Sequence, residues 1–375
     1  MNSNAPTSFT TPHFLGESIP VTPSNDVKKG LLIGAGQHIN PKDNVRRFDL
    51  SIINLDAPNF AAYIIPTPFF GHGISPNPIR PELIAVFEKR GKGSCEVNLS
   101  TGQVTRTITP HSNREFYGHG AYSPKGDLLY STETIIEGNF DGVIGVRDAH
   151  SHEYLGDFPS FGAKPHDCHL IDGGKTLVVT NGGGPLGGIN PSVTFIDVES
   201  ETLIDKYEFE NPNINAGHLS VTDNHDLAVV SAQREGLDDL ALGGITLKLD
   251  DGSFQSLQEP AEIVNSLKGE TLSVCFHKES GIVGTTTPAG NSLLFWNSNT
   301  GELVKKFSLQ NPRGIALSLD RRFYIVSYGF TNPTEAICLI STDTLERVTG
   351  FDLNPTFITG SHLFTYHLPN YHLPI

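Results

Sequence analysis

Five histidines recur at equivalent positions along the chain, each at the start of a segment that predicts a short strand. They are His72, His119, His166, His218 and His362. Imidazole nitrogens bind iron, copper, zinc and nickel, and a rigid ring of them could supply four or five ligands. Ligand type alone ranks copper highest in intrinsic affinity, so the residues predict a transition-metal site without identifying iron. Because bound imidazoles must be neutral, occupancy is expected to fall as the pH drops through about 6.5, with release of several protons per metal bound.

The histidines belong to a repeated unit that is clearest over residues 116–133. This segment reads as a close Gly-His-Gly approach, a short strand, a Pro-Lys-Gly-Asp turn and a second strand. Copies with the same order of parts, some of them weaker, begin at Phe70, Pro165 and Ala216, near Thr271, near Arg313 and at Gly360.

The second half of each copy is a strand-turn-strand unit. It is clear at residues 99–104, 196–203, 295–303 and 340–345, and looser around Asp56, Asp148 and Asp250. The spacing of roughly 42 to 52 residues is the period expected when four strands make one propeller blade. With 38 Gly and 25 Pro in 375 residues, the composition also favours many short strands over long helices. The sequence therefore predicts an all-β, seven-bladed β-propeller.

The two ends of the repeat region predict how the ring closes. Residues 30–36 resemble a second strand with no first strand before them, and the copy around His362 supplies the missing one. Pairing of these ends would leave no open sheet edge between the first and last blades. We therefore expect one domain over residues 28–375. Residues 1–27 are polar and rich in Pro, Ser, Thr and Asn, and are predicted to be a disordered leader or linker.

In a propeller the first strand of each blade lines the central channel, so the five histidines should converge at one mouth. Because the second strands end on the same face, Glu88, Glu133 and Gln233 are expected outside the histidines, orienting them or holding water. His169, three residues after His166, could join this outer layer or be an alternative ligand. Thr271 and Arg313 occupy the two remaining blade positions, which excludes a ring of seven histidines. Arg313 is instead expected in the outer layer around the ligands.

Other readings of the histidines and of the composition remain open at this stage. Gly-His before a first strand also occurs in the structural networks of WD-repeat proteins, although this chain has only one Trp. His150, His152, His367 and His372 are predicted to be solvated. The formal net charge of −15 disfavours nucleic acid and anionic membrane surfaces. No apolar segment could span a bilayer, so we expect no membrane insertion. We also expect a monomer. The four cysteines lack metal-site spacing.

Several runs resemble a bacterial domain-of-unknown-function family of seven-bladed, WD-repeat-like propellers. They are Phe-Tyr-Gly-His-Gly-Ala-Tyr-Ser-Pro at 116–124, Leu-Tyr-Ser-Thr-Glu at 129–133, Gly-Val-Ile-Gly-Val-Arg at 142–147, Pro-His-Asp-Cys-His-Leu at 165–170 and Leu-Val-Val-Thr-Asn-Gly-Gly at 177–183. Members of that family are commonly exported by the twin-arginine route and encoded beside imelysin-type iron-uptake proteins. The resemblance implies iron handling, a periplasmic address and iron-uptake proteins as partners. The sequence shows no twin-arginine leader, so a cytoplasmic location or secretion without a recognisable signal is the competing expectation.

Taken together, these features predict a metal-binding propeller and not an enzyme. Its ion would be iron, with copper and zinc as alternatives, and its role iron acquisition, storage or delivery. One alternative is an enzyme resembling lactonase propellers, with His119 or His166 as a general base beside Glu133. Another is a metal-free platform for protein interactions, a role that propellers often serve.

Overall fold

A computed structural model describes residues 29–40, 42–57, 60–329 and 335–368. Seven four-stranded antiparallel sheets form the blades of a closed propeller, which confirms the predicted fold class. Within these ranges the only α-helix is α1, Ala261–Val264, and no helix is long and apolar enough to cross a membrane. The predicted leader at residues 1–27 lies outside the described residues, as does His372.

Blades are numbered here by the order of their first strands along the chain. Blade 1 contains β4 (Gly71–Pro76), β5 (Leu83–Glu88), β6 (Ser94–Asn98) and β7 (Gln103–Ile108). Blade 2 contains β8 (Arg114–Tyr122), β9 (Leu128–Ile135), β10 (Asp141–Asp148) and β11 (Tyr154–Ala163). Blade 3 contains β12 (Pro165–Ile171), β13 (Thr176–Asn181), β14 (Ser192–Asp197) and β15 (Thr202–Glu208). Blade 4 contains β16 (Leu219–Val221), β17 (Leu227–Ser231), β18 (Gly244–Lys248) and β19 (Phe254–Ser256). Blade 5 contains β20 (Ser273–His277), β21 (Ile282–Thr287), β22 (Ser292–Asn297) and β23 (Leu303–Ser308). Blade 6 contains β24 (Ile315–Leu317), β25 (Phe323–Tyr328), β26 (Ala336–Ser341) and β27 (Arg347–Leu353). Blade 7 contains β28 (Leu363–Tyr366), β1 (Leu31–Asn40), β2 (Val45–Asn54) and β3 (Ala62–Thr67).

The hydrophobic core lies between neighbouring blades, and strand β5 shows why. Side chains alternate between the two faces of a strand, and both faces of β5 are covered. Ile84 and Val86 pack against blade 7, whereas Ala85 and Phe87 pack against blade 2. This two-sided burial explains the continuous apolar run Leu-Ile-Ala-Val-Phe in the sequence.

The ring closes through the pairing of the two chain ends. Strand β28 runs antiparallel to β1, with Leu363 opposite Gly34 and Tyr366 opposite Leu31. Leu363 also packs in one cluster with Ile325 of blade 6. The predicted closure is therefore confirmed, and the last described strand, β28, belongs to the same sheet as the first described strand, β1.

Three of the five predicted histidines lie inside a first strand, not just before it. The pairing register shifts between Gly71 and Gly73 in β4, between Phe116 and Gly120 in β8, and between Pro165 and Cys168 in β12. Each shift leaves extra residues on the first strand, and such bulges re-aim side chains that would otherwise follow the strand's alternation. His72, His119 and His166 lie within these bulges, while His218 and His362 directly precede β16 and β28.

Candidate metal centre

The five histidines form one cluster, and four of them, His72, His166, His218 and His362, contact one another through their Nε2 atoms. His218 Nε2 lies 2.8 Å from His362 Nε2, 2.9 Å from His166 Nε2 and 3.1 Å from His72 Nε2. The His119 ring completes the group, with its centroid 4.7 Å from that of His362. One nitrogen from each of His72, His119, His218 and His362 lies within 4.8 Å of the others, close enough to hold one metal ion. The structure thus brings the five predicted histidines into one cluster, in which His166 contacts His72 and His218 but lies outside the four-residue group.

Backbone carbonyls fix the tautomers of two of these imidazoles. His166 Nδ1 lies 2.8 Å from the carbonyl oxygen of Tyr117, and His218 Nδ1 contacts the carbonyl oxygen of Leu272. A carbonyl oxygen only accepts hydrogen bonds, so each Nδ1 must carry the proton and donate it. In the neutral ring the Nε2 lone pair then points at the centre of the group. Both side chains are oriented as metal ligands.

His119 is oriented by a carboxylate that the sequence did not single out. Its Nδ1 lies 3.2 Å from Asp167 Oδ1, while its Nε2 is buried without a hydrogen-bond partner among the described residues. The Asp167 carboxylate is itself held by the backbone N–H groups of Cys168 and Leu219. A carboxylate behind a ligating imidazole fixes the ring and strengthens its basicity, an arrangement common in metal sites.

His72 is paired with a hydroxyl group from another blade. Its Nδ1 lies 3.1 Å from Ser361 Oγ, in the residue that precedes His362. The signals for these two outer partners were present in the sequence. Asp167 follows His166 directly and Ser361 precedes His362 directly. The assignment needs the fold, because each partner serves a histidine of a neighbouring blade.

Burial and mutual repulsion keep the ring imidazoles neutral. Burial lowers the pKa of His119 to about 3, against the opposing pull of Asp167, and lowers that of His218 to about 4. The pKa values of His72, His166 and His362 are held well below the ordinary value by burial, with neighbouring imidazoles adding to the effect. Near neutral pH the histidines are therefore already in the form that binds metal. This changes the expectation drawn from free histidine, whose pKa is near 6.5.

Burial alone would raise the pKa of the Asp167 carboxyl, but the nearby His119 and His169 hold it well below its usual range. Asp167 is therefore ionised when the site is in its metal-binding form. His169 Nε2 lies 3.5 Å from Asp167 Oδ1 and its side chain is 46% exposed. The structure places His169 behind the carboxylate and not among the five converging nitrogens.

Two glycines allow the histidines to come this close. A Cβ atom on Gly118 would lie 3.0 Å from His72 Cδ2, and the residue has a φ of +128°, which side chains rarely adopt. A Cβ atom on Gly73 would lie 2.3 Å from the Gly118 carbonyl oxygen. The Gly-His-Gly motif is therefore explained by the close packing of the first strand of one blade against the first strand of the next.

The acidic residues expected around the ring are used elsewhere. Glu133 lies 2.7 Å from Arg147 inside blade 2, and Ser131 Oγ donates to the same carboxylate oxygen. Glu88 Oε2 accepts a hydrogen bond from the backbone N–H of Gly93. None of the contacts described for these two carboxylates involves a ring histidine. The reason is that side chains at the second-strand ends turn into the blades and their loops, and do not face the axis.

Gln233 and Arg313, the other two residues expected around the ring, make their described hydrogen bonds to other groups. Gln233 Nε2 donates to the Asp239 carbonyl oxygen, and its Oε1 is buried without a partner among the described residues. The backbone N–H of Arg313 bonds to Ser327, and burial lowers the pKa of its guanidinium, against the opposing effect of Glu270. Neither side chain contacts a ring histidine in the interactions described.

Ring histidines line two cavities of about 380 Å³ each. The first, named here the lysine-lined cavity, is bounded by His166, Lys89, Arg90, Lys164 and Tyr117, among others. It opens where the first strands begin. The second extends along the first strands and is bounded by His119, His218 and His362. Both cavities therefore border the histidine ring.

Solved structures share this fold at low sequence identity. Hydrazine synthase of Kuenenia stuttgartiensis is 14% identical, with a TM-score of 0.61 over 83% of this chain and 95% of that chain. The dihydro-heme d1 dehydrogenase NirN in complex with DHE is 11% identical, with a TM-score of 0.55 over 89% of this chain and 68% of that chain. At these identities the likeness shows the propeller fold alone. No curated protein sequence matches the chain.

The family comparison covers most of the repeat region. The model of the family described as "Protein of unknown function (DUF1513)" matches residues 65–348, which include four of the five ring histidines and the outer partner Asp167. This range is more than half of the 375 residues. The chain therefore belongs to the DUF1513 family.

Proposed function

We propose that this protein binds a transition-metal ion at the histidine ring, and that the ion is iron, held for acquisition, storage or delivery. The observation that carries the proposal is the pair of fixed tautomers at His166 and His218. Both Nδ1 atoms donate to carbonyl oxygens, and the two Nε2 atoms lie 2.9 Å apart. Neither Nε2 has a proton to donate while both rings are neutral.

Two lone pairs at this distance repel unless a cation lies between them. His119 adds a third inward lone pair, since its Nδ1 faces the Asp167 carboxylate. A single proton could bridge two of the nitrogens, but it would leave the others unsatisfied. A metal ion accepts all of the lone pairs at once, and its charge is balanced in part by buried, ionised Asp167.

The choice of iron rests on the resemblance that implies iron handling. Nitrogen ligands also accept copper and zinc, and copper has the higher intrinsic affinity. Selection of iron would thus depend on metal supply and on how far the rigid ring tolerates each ion's preferred geometry. The same resemblance supports iron-uptake proteins as partners and a periplasmic site of action.

The proposal is tested by metal titration of chelator-treated protein, with ferrous iron under anaerobic conditions and with zinc and copper in parallel. His218→Gln removes the nitrogen that contacts three other ring nitrogens. The matched control is His150→Gln, on an exposed turn. We expect the ring variant to weaken binding by at least about 10- to 100-fold, the scale seen when even outer partners of metal ligands are removed.

The control variant should keep the wild-type affinity. Circular dichroism establishes that both variants are folded before their affinities are compared. Equal dissociation constants for wild type and His218→Gln, with all three metals, would overturn the proposal. Tight binding of copper or zinc with no measurable ferrous iron would retain the site and reject iron as the cargo.

A further inference from the structure

The lysine-lined cavity has the opposite charge character to the protein as a whole. Lys89, Arg90 and Lys164 line it together with two carboxylates, Glu235 and Glu270. Three cations against two anions leave a net formal charge of +1, in a chain whose formal net charge is −15. Cationic residues are therefore concentrated beside the histidine ring.

The lining cations differ in how far they are neutralised. Lys164 Nζ lies 2.6 Å from Glu235, a close pair, whereas Lys89 Nζ lies 3.6 Å from Glu270. The Arg90 guanidinium lies over the Tyr117 ring, 5.1 Å from its centroid. Lys89 and Arg90 are both exposed and so can reorient toward a ligand in the cavity.

The positive charge of Lys89 lies in the same cavity as the edge of the histidine ring and creates a positive field there. His166 is also part of the cavity wall. A metal ion at the ring would therefore experience the same positive field, and two like charges in a partly buried site repel unless an anion lies between them.

We propose that the lysine-lined cavity binds a small oxyanion that contacts the ring-bound metal on one side and Lys89 and Arg90 on the other. The inference rests on the proposed metal site and adds an oxyanion to the histidines as a ligand of the metal. Oxyanions suit both neighbours, since Lys and Arg bind carboxylate and phosphate oxygens and transition-metal ions accept oxygen ligands. A volume of about 380 Å³ is in the range of small-molecule pockets. The metal is then held as a ternary complex of protein, metal and anion.

The test uses cobalt(II) as a coloured probe in a non-coordinating buffer. Acetate or inorganic phosphate is added separately to the cobalt-loaded protein, and the visible spectrum reports any change of ligands at the metal. Lys89→Gln removes the cavity cation, and Lys125→Gln, on an exposed turn between β8 and β9, is the matched control. Acetate and phosphate distinguish a carboxylate ligand from a phosphoryl ligand.

We expect at least one anion to change the wild-type spectrum saturably, with about tenfold or greater weakening of its apparent affinity in Lys89→Gln and none in Lys125→Gln. In the absence of anion, Lys89→Gln should bind cobalt as tightly as wild type or more tightly, because a repulsive charge has been removed. A substitution that only destabilised the fold would not combine weaker anion binding with unchanged or tighter cobalt binding.

Failure of this inference is distinct from failure of the metal site. If the wild type binds cobalt and neither anion changes the spectrum, the oxyanion ligand is excluded while the metal site stands. If anions act equally on wild type and Lys89→Gln, an anion reaches the metal without help from Lys89, and the assignment of the anion to the lysine-lined cavity is wrong. If the wild type binds no metal, the proposed function fails first, and the oxyanion site beside the metal fails with it.

Discussion

The buried histidine ring should make the metal-free protein unusually sensitive to mild acid. In the unfolded chain each ring histidine takes up a proton as the pH falls through about 6.5. In the folded chain burial and mutual repulsion hold the pKa values far lower, at about 4 for His218 and about 3 for His119. The unfolded state therefore binds more protons over this range, so stability decreases as the pH falls below about 6.5.

The size of the effect follows from the number of histidines involved. One proton can be shared between facing Nε2 atoms in the folded ring, so about four of the five imidazoles remain neutral there. Each of the four contributes about 1.4 kcal/mol per pH unit well below pH 6.5. Between about pH 7.5 and 5.5 the loss is on the order of 5 kcal/mol, comparable with the total stability of many domains, about 5–15 kcal/mol.

The measurement is urea unfolding of chelator-treated protein at a series of pH values, followed by circular dichroism. This window lies above the range where carboxylates titrate, so histidines dominate it. His218→Gln should reduce the slope of unfolding free energy against pH by about 1.4 kcal/mol per pH unit. His150→Gln should leave the slope unchanged because that side chain is exposed. A wild-type slope near zero, or one shared by His218→Gln, would refute the view that the ring is buried in its neutral form.

Three further predictions concern the partners and the closure of the ring. Asp167→Asn keeps the size of the side chain but removes the charge behind His119, and should weaken metal binding by about 10- to 100-fold in the same titrations. The control Asp172→Asn, in a partly exposed pair with His225, should not weaken it. Deletion of residues 361–375 removes β28 with the buried Leu363, and loss of a buried Leu from a core costs about 2–5 kcal/mol. In a thermal melt we therefore expect cooperative unfolding at a much lower temperature, or no folded protein. Metal binding near pH 7.5 should release fewer than about one proton, because the folded ring is already neutral. Calorimetry in buffers of different ionisation enthalpy counts these protons, and release of several would contradict the lowered pKa values.

The repeat pattern made the fold and the five converging histidines predictable from sequence. Each blade repeats the same order of strands, so a residue at a fixed place in the repeat must occupy a fixed place around the axis. Strand β28 could be assigned to blade 7 by the same logic, because β1 lacked a first strand. The local sequence pattern was enough to predict these features because they depend on the order of elements along the chain and not on side-chain direction.

The outer partners of the histidines could not be predicted in this way. Glu133 was expected near the ring from its place at the end of β9, but Arg147 of the next strand pairs with it inside the blade. Asp167 lies next to His166 in sequence yet contacts His119 of the preceding blade. Asp167 lies in the bulge between Pro165 and Cys168, and a bulge is a property of the pairing with the second strand, which the sequence of one strand does not specify.

The contacts that orient the ring nearly all cross from one blade to another. His166 of blade 3 donates to the Tyr117 carbonyl of blade 2, and His218 of blade 4 donates to the Leu272 carbonyl just before blade 5. His72 of blade 1 is paired with Ser361, just before blade 7. The inward direction of each imidazole therefore depends on how its blade is seated against a neighbour. A metal ion that binds the ring favours the seating of several blades at once, so metal affinity and ring closure are linked, and each should strengthen the other.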